Sequence, residues 1–198
     1  MKITKEQKAA LIGMILGDGY LQSTGKKNAR LRLEHRAQHY EYLVWKMKLL
    51  PQLFQGKPKI IKRQHPLTKR IYSYVRCQSN SSPLLGKLRR LFYQDGQKKI
   101  PENIEKLLID DLTFAIWFYD DGYYSKKDGY CAIYLGKISF AEAKLLSQAI
   151  TNKFNLKNKV VDKKNKGFML YFPASEKIKI KNILQKYFVP IMSYKIPS

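Results

Sequence analysis

The sequence predicts an α+β protein made of two similar halves, each ordered helix, two strands, helix, two strands, helix. The 198-residue chain is 44% hydrophobic and 13% aromatic, which is enough for a folded core. An apolar run followed by Asp-Gly-Tyr occurs twice, at residues 11–22 and 114–125. Lys-Ile-Pro also occurs twice, at residues 99–101 and 195–197. Because both repeats have nearly the same spacing, they indicate an internal duplication.

The first repeat is predicted to cover residues 1–97 and the second residues 98–198, with a linker at about residues 94–105. Thr4 is predicted to cap the first helix, because Gln7 lies three residues further on and completes a capping box. Apolar and polar periodicity predicts the remaining elements of this half. They are a strand at 29–36, a helix at 39–50, strands at 57–64 and 70–78, and a helix at 84–93.

The second half repeats this order of elements. Its predicted strands and helices follow the second apolar run, with strands at 130–137, 159–163 and 168–172 and helices at 140–154 and 176–187. Gly19 and Gly122 are predicted to end the two apolar helices in a left-handed conformation, which glycine adopts without steric cost.

The formal charge of +23 is the strongest compositional signal. Such an excess of cations favours a nucleic acid as partner. No apolar run is long enough to cross a membrane, and the N-terminal residues lack the apolar stretch of a signal peptide, so an intracellular protein without a membrane partner is expected. The Lys-rich composition favours an AT-rich genome, such as that of a mitochondrion or chloroplast. Cys77 and Cys131 lie outside metal-ligand spacings and are predicted to be small buried side chains in strands.

An aspartate follows each of the two apolar helices. The helix dipole disfavours an anion at a C-terminus, so Asp18 and Asp121 require a metal ion or a lysine nearby. Gly13 and Gly17 lie on one face of the first helix and would let the second apolar helix approach closely. That packing would bring the two acids together, where Mg²⁺ could bind and support hydrolysis of a nucleic-acid backbone.

Residues 11–19, LIGMILGDG, match the LAGLIDADG motif in register, and residues 114–122, FAIWFYDDG, match it more loosely. The chain therefore resembles single-chain, two-motif LAGLIDADG homing endonucleases. This resemblance implies two αββαββα repeats packed through their motif helices, with antiparallel sheets forming a saddle on DNA. It also implies a monomer that cuts both strands of a long asymmetric double-stranded DNA target with Mg²⁺ and leaves short 3′ overhangs.

Two alternatives remain at this stage: an intron maturase that binds intron RNA, and a LAGLIDADG protein that binds DNA without cutting. For the endonuclease, Mn²⁺ is expected to replace Mg²⁺, while Ca²⁺ is expected to support binding without cleavage. The implied metal ligands are Asp18 and Asp121, with Gly17 and Asp120 as further candidates. Ile116 and Asp120 stand where the family usually has small residues, which predicts asymmetric packing of the second motif helix.

The resemblance also implies basic residues near the scissile phosphates. Lys195 has this position in the second half. In the first half the internal repeat favours Lys99, whereas spacing in some relatives favours Lys98. His35 matches a position where relatives hold a polar residue that orders active-site water. An alternative interpretation of His35 is a core histidine on the same face as neighbouring leucines.

Alternating polar residues on the predicted strands suggest a surface that reads DNA. The predicted contact residues are Asn28, Arg30, Arg32, Arg70, Tyr72, Tyr74, Arg76 and Gln78 in the first half, and Tyr130, Tyr134, Lys159, Lys163, Met169 and Tyr171 in the second. All eight arginines lie in the first half, and arginine reads guanine in a bidentate manner. The first half is therefore predicted to discriminate bases more tightly than the second.

Overall fold

The computed structural model describes residues 2–198 and confirms the predicted α+β class. The elements of the first half are α1 (Lys5–Leu16), β1 (Tyr20–Ser23), β2 (Ala29–Arg36), α2 (Tyr40–Leu49), β3 (Lys59–Gln64), β4 (Ile71–Gln78) and α3 (Pro83–Phe92). Next come β5 (Tyr93–Gln94), β6 (Gln97–Lys98) and α4 (Ile104–Leu107). The second half contains α5 (Asp111–Asp121), β7 (Gly122–Tyr124), β8 (Cys131–Gly136), α6 (Phe140–Phe154), β9 (Lys159–Asp162), β10 (Phe168–Phe172) and α7 (Lys177–Gln185).

The chain forms two compact units that do not coincide with the two sequence repeats. One unit consists of Lys2 with residues 18–90, and the other of residues 3–17 with residues 91–198. Helix α1 therefore packs with the second unit although it begins the first repeat. The repeat boundary between residues 97 and 98 describes the duplication in the sequence and stays a prediction.

Each unit contains a four-stranded antiparallel sheet, and the two sheets have the same strand order. The order is β1-β2-β4-β3 in the first unit and β7-β8-β10-β9 in the second. In β2, Leu31 and Leu33 are buried whereas Arg30 and Arg32 are half-buried, so one face packs on the core and the other meets solvent. The shared topology is what a duplication predicts.

Helices α1 and α5 pack closely against each other within the second unit. The capping box of Thr4 and Gln7 is present at the start of α1. A Cβ added to Gly13 would lie 2.7 Å from the carbonyl oxygen of Thr113, so only glycine permits this approach. The Thr113 hydroxyl donates a hydrogen bond to the Ala9 carbonyl at 3.2 Å. The face of the first helix that carries Gly13 and Gly17 therefore packs against α5, as the sequence predicted.

The prediction of left-handed glycines at the helix ends is wrong. Gly122 has φ −76°, and Gly19 is not among the residues with positive φ. The chain passes almost directly from each helix into a strand, which requires extended backbone. Gly122 is needed for space instead, since a Cβ there would lie 2.3 Å from the carbonyl oxygen of Phe118.

The predicted linker contains regular structure that the sequence did not reveal. Strands β5 and β6 form a two-stranded hairpin, and α4 follows it. Cys77 and Cys131 are buried, unpaired thiols in strands, as predicted, and burial raises the pKa of each to about 12. Of the helices described, none combines the length and the apolar character that a membrane span needs.

Candidate active site

A lysine side chain binds the carbonyl groups at the C-terminus of α1. The Lys98 ammonium donates to the Gly17 carbonyl at 2.8 Å and to the Leu16 carbonyl at 3.2 Å. The last turn of α1 has no basic residue of its own. Lys98 belongs to β6, so the short hairpin supplies the cation that stabilises the negative end of the helix dipole.

The second motif helix has the same arrangement. The Lys195 ammonium donates to the carbonyls of Tyr119 and Asp120, at 2.6 Å and 2.7 Å. Lys195 ends the 3₁₀ segment Pro190–Lys195, and the last turn of α5 also lacks a basic residue. A lysine from a distant segment therefore lies at each helix end, which meets the electrostatic requirement inferred from the sequence.

These contacts pair Lys195 with Lys98 rather than with Lys99. The Lys99 ammonium donates to the Gln94 side chain at 3.2 Å, in an exposed position away from the helix end. The Lys-Ile-Pro repeat aligns Lys99 with Lys195, whereas the contacts at the helix ends align Lys98 with Lys195, which is a shift of one residue. Side chains alternate in direction along an extended chain, so neighbouring lysines in and after β6 point to opposite sides.

Two carboxylates end α5. Asp120 packs against α1, since a Cβ added to Gly17 would lie 2.2 Å from its Oδ2 atom. Asp121 is half-buried and lines a cavity of about 220 Å³ in the second unit, together with Gly17 and Lys98. The cavity wall beside Asp121 is largely apolar and includes Leu135, Ile138 and Leu146.

Asp18 lies in the first unit and is accessible to solvent, with 44% of its side chain exposed. The Nδ1 atom of His35 lies 3.4 Å from the Asp18 Oδ2 atom. His35 is on the buried face of β2 with Leu31 and Leu33, and only 5% of its side chain is exposed. His35 is therefore a core residue that also faces the motif aspartate, and its role in ordering active-site water stays a prediction.

Lys46 is a functional candidate that sequence reasoning missed. It lies on α2 and is fully buried, with its Nζ atom 3.2 Å from the Nε2 atom of His35. The same ammonium lies 4.5 Å from the ring centroid of Tyr42. The signal was a lysine at helical spacing from Tyr42 and Leu43, on the apolar face of an amphipathic helix.

The solvent face of the first sheet carries an ion-pair network centred on a carboxylate. Arg63 donates to both Glu34 oxygens at 2.7 Å and 2.8 Å, and Arg76 donates at 2.6 Å. Partial burial raises the pKa of Glu34, but the bonds from Arg63 and Arg76 outweigh it and leave that pKa below its usual value. Glu34 and Arg63 were not among the residues predicted to contact DNA. Beside the network, the Arg32 guanidinium lies 5.2 Å from the ring centroid of Tyr20.

The solvent face of the second sheet carries tyrosines instead. The ring centroid of Tyr130 lies 5.0 Å from that of Tyr171 and 6.1 Å from that of Tyr123. Lys159 lies over the Tyr171 ring at 5.0 Å. Met169 is only 7% exposed, so its prediction as a contact residue needs correction: strands β8 and β9 flank it and leave little surface for DNA.

The other predicted contact residues have exposed or half-buried side chains. They are Asn28, Arg30, Arg32, Arg70, Tyr72, Tyr74, Arg76, Gln78, Tyr130, Tyr134, Lys159, Lys163 and Tyr171. Each unit therefore presents polar and aromatic groups on one side of its sheet, and these groups can bind phosphates and base edges.

Comparison with known proteins identifies the family. The sequence model of the LAGLIDADG DNA endonuclease family matches residues 8–180. "Probable intron-encoded endonuclease 1" of Wickerhamomyces canadensis is 27% identical over 199 residues, covering 98% of this chain and 85% of that protein. "Probable intron-encoded DNA endonuclease 3" of Mycosarcoma maydis is 31% identical over 111 residues, covering 54% and 81%.

A solved structure has the same fold. The homing endonuclease I-WcaI, bound to its DNA recognition sequence, superposes with a TM-score of 0.90 at 24% identity, covering 99% of this chain and 88% of that one. The family match extends over most of the chain and includes both motifs, at residues 11–19 and 114–122. This chain belongs to the LAGLIDADG DNA endonuclease family.

Proposed function

We propose that the protein is a monomeric, site-specific endonuclease that hydrolyses both strands of a long asymmetric DNA target with Mg²⁺ and leaves short 3′ overhangs. The observation that carries this proposal is the duplicated arrangement of an aspartate and a lysine at the C-termini of α1 and α5. A double-strand cut breaks one phosphodiester bond on each strand, which corresponds to two copies of one arrangement. The names of the curated relatives favour an intron as the host element, and the Lys-rich composition favours an organelle.

The donor set at the motif ends fits a hard divalent cation. Asp18 is exposed and Asp121 lines a cavity, so the carboxylate oxygens of both are accessible. Asp120 and the Gly17 carbonyl, both in the second unit, are the further candidate oxygen donors. Mg²⁺ and Mn²⁺ accept such ligands readily, whereas Ca²⁺ prefers more ligands at longer distances, which suits binding better than catalysis.

The reaction breaks a P–O ester bond: the oxygen of water bonds to phosphorus, and a proton ends on the leaving oxygen. A bound metal would supply hydroxide at neutral pH and stabilise the charge on the leaving oxygen. Asp18 and Asp121 would each be a ligand of such a metal. Lys98 and Lys195 are fixed by helix carbonyls, so their positive charges need no reorganisation to stabilise negative charge on the phosphate.

The sheet faces would bind the target. A net charge of +23 favours a phosphate backbone through counterion release, so affinity should fall steeply with salt. The first sheet presents a guanidinium network around Glu34, and the second presents stacked tyrosines with lysine. Because the two faces differ chemically, each would read a different half-site, which favours an asymmetric target.

The test uses the full chain and a plasmid library that carries candidate intron-insertion sites. Discrete linear products are expected with Mg²⁺ and none with EDTA. Asp18→Asn and Asp121→Asn are each expected to abolish double-strand cleavage while sparing DNA binding, because each removes an ionised ligand with little change in shape. The matched control is Glu102→Gln, which changes an exposed carboxylate outside the site and should cut like the unmodified protein.

Two outcomes would contradict the proposal. One is unselective retardation of DNA without cutting, which would indicate a binding protein or a maturase. The other is full double-strand cleavage by either aspartate variant, which would refute the site assignment.

A further inference from the structure

We infer that Glu34 is a specificity-determining residue: it fixes the guanidinium groups of Arg63 and Arg76 for reading bases and lowers their attraction for DNA of any sequence. The inference deepens the proposed function, because it rests on the solvent face of the first sheet binding the DNA target. Glu34 acts on the DNA through the two arginines and is in this sense a positioning residue.

Glu34 lies on the face of the first sheet that meets solvent. Side chains alternate along β2, where Leu33 and His35 are buried and Glu34 is half-buried. Glu34 pairs with Arg76 of β4 in the strand register, and Arg63 lies on β3, next to β4. The network therefore extends over three neighbouring strands, and its geometry is set by the sheet rather than by a flexible loop.

The two arginines contact Glu34 with different edges of their guanidinium groups. Arg63 uses its terminal nitrogens Nη1 and Nη2, at 2.7 Å and 2.8 Å from the two carboxylate oxygens. Arg76 uses Nε and Nη2, each 2.6 Å from the Oε2 atom. A guanidinium carries five N–H donors in one plane, and the Nη1 donors of Arg76 take no part in these contacts. The plane of Arg76 is therefore fixed while its outer edge can still donate to a base.

Both guanidinium groups are accessible to a ligand. The side chains of Arg63 and Arg76 are 44% and 25% exposed, and the Arg63 Cζ atom lies 5.0 Å from the ring centroid of Tyr74. Arg76 also lines a cavity of about 360 Å³ together with Lys59 and Gln78. These polar and cationic groups suit an edge with two hydrogen-bond acceptors, such as O6 and N7 of guanine.

Fixing the arginines favours base reading over phosphate binding. An unrestrained arginine can turn toward any nearby phosphate, and such a contact carries no sequence information. An arginine held by a carboxylate has already lost much of its rotational freedom, so a base in the right place binds it at a smaller entropic cost. The order imposed by Glu34 therefore benefits only a ligand that fits the fixed geometry.

The charge of Glu34 acts in the same direction. Two guanidinium groups and one carboxylate leave a local net charge of +1, since 2 − 1 = 1. Binding to DNA of any sequence depends on the number of phosphates that cations neutralise. Glu34 thus weakens unselective binding at the place where the first sheet reads bases.

The first experiment measures binding of the full chain to a random-sequence DNA duplex over a range of salt concentrations. Glu34→Gln is expected to bind about 3- to 10-fold more tightly near 0.1 M salt, with a slope of log affinity against log salt steeper by up to about one, because a neutralising charge is lost. Glu34→Asp keeps that charge and should bind like the unmodified protein.

The matched control for charge is Glu41→Gln. Glu41 is an exposed acid on α2, which packs on the buried face of the same sheet. The substitution changes the net charge by the same amount on the other side of the sheet, so it should alter the affinity for random DNA much less than Glu34→Gln does.

The second experiment compares cleavage rates across all single-base variants of a target that the unmodified protein cuts. At one or two positions of a single half-site, Glu34→Gln and Glu34→Asp should each reduce the discrimination between bases by about tenfold, within the roughly 10- to 100-fold that a bidentate arginine contact supplies. Glutamine has one acceptor oxygen and aspartate is shorter, so neither holds both arginines. Arg76→Lys should relax one of the same positions, and Glu41→Gln should relax none.

The third experiment needs neither DNA nor metal. NMR of arginine side chains, with Arg76 assigned by its absence in Arg76→Lys, should show slower exchange of the Arg76 Nε proton with water than of the same proton in exposed Arg70. In Glu34→Gln the Arg76 proton should exchange faster, because a neutral amide oxygen binds a guanidinium less strongly than a carboxylate does.

The outcomes separate this inference from the proposed function. Failure of the unmodified protein to cut any target contradicts the proposed function, while the salt titration and the NMR result still test the role of Glu34. An unchanged affinity of Glu34→Gln for random DNA overturns the inference, as does rapid exchange of the Arg76 Nε proton in the unmodified protein. Equal loss of discrimination in both half-sites indicates a general loss of structure and overturns it as well.

Discussion

The two motif aspartates have similar helix ends but different surroundings. At both ends a lysine ammonium binds the terminal carbonyls, through Lys98 in one case and Lys195 in the other. Asp18 faces a histidine backed by a buried lysine, whereas Asp121 lines a cavity with an apolar wall. The two halves therefore share a lysine that binds the terminal carbonyls of the motif helix and differ in the side chains that lie near the aspartate.

This pattern has a physical reason. Every helix C-terminus presents carbonyl groups that have no intrahelical partner and a partial negative charge, so a cation is stabilising there in either half. The position of an aspartate side chain can be fixed in several ways, by a donor or by packing. The side chains near the two aspartates can therefore differ although the lysine contacts are the same.

The largest expected effect concerns what the two sites share. Lys98→Met and Lys195→Met should each reduce double-strand cleavage by about 10²- to 10³-fold, because each removes a preorganised positive charge. Rates of linear-product formation at saturating Mg²⁺ would measure this loss. Lys99→Met decides between the two neighbouring lysines, and a greater loss there than in Lys98→Met would return the role to Lys99.

An intermediate effect concerns the two sheet faces. Single-base changes in the half-site read by the first sheet should cost about 1–3 kcal/mol each, because bidentate arginine contacts are specific. Changes in the other half-site should cost less, because tyrosine and lysine bind with less dependence on sequence. Relative cleavage rates across all single-base target variants would measure both. Equal tolerance in the two half-sites would contradict the expectation.

The smallest effect concerns pH and compares one acid from each unit. Partial burial raises the pKa of both Glu34 and Glu142. Hydrogen bonds from Arg63 and Arg76 nevertheless leave the pKa of Glu34 below its usual value, and donors from Ile100 and Ser139 do so for Glu142. A lowered folded-state pKa means that each acid stabilises the fold above its unfolded value, near 4.5, and loses this contribution as the pH falls through the folded value.

Thermal unfolding between pH 7 and pH 3 would test this. In Glu34→Gln and Glu142→Gln, the free energy of unfolding should fall less steeply as the pH is lowered. High salt should reduce this effect of Glu34→Gln, because the arginine partners of Glu34 are charged and partly exposed. An unchanged acid profile in both variants would show that these acids do not control acid stability.

Local patterns predicted much of the fold. The bounds of β2, α6 and β10 agree with the prediction, because alternation and helical periodicity are short-range signals that survive folding. The two short strands of the β5–β6 hairpin were missed since two residues carry no measurable periodicity. That omission left the choice between Lys98 and Lys99 open.

Local sequence patterns predicted only part of the candidate site. Asp18, Asp121 and Lys195 followed from the repeat and the family motif, and His35 from a position where relatives in the family hold a polar residue. Lys46 lies eleven residues from His35, on a different element, and no local pattern relates the two. Its contact arises because α2 packs on the buried face of β2.

The sequence by itself determined the fold class, the duplication, the basic charge and the positions of the motif acids, because these depend on composition and on short-range order. The tertiary structure decided which lysine reaches each helix end, which carboxylate binds the arginines, and which histidine faces Asp18. These are contacts between residues distant along the chain, and their energy depends on the burial and donor geometry that only packing creates.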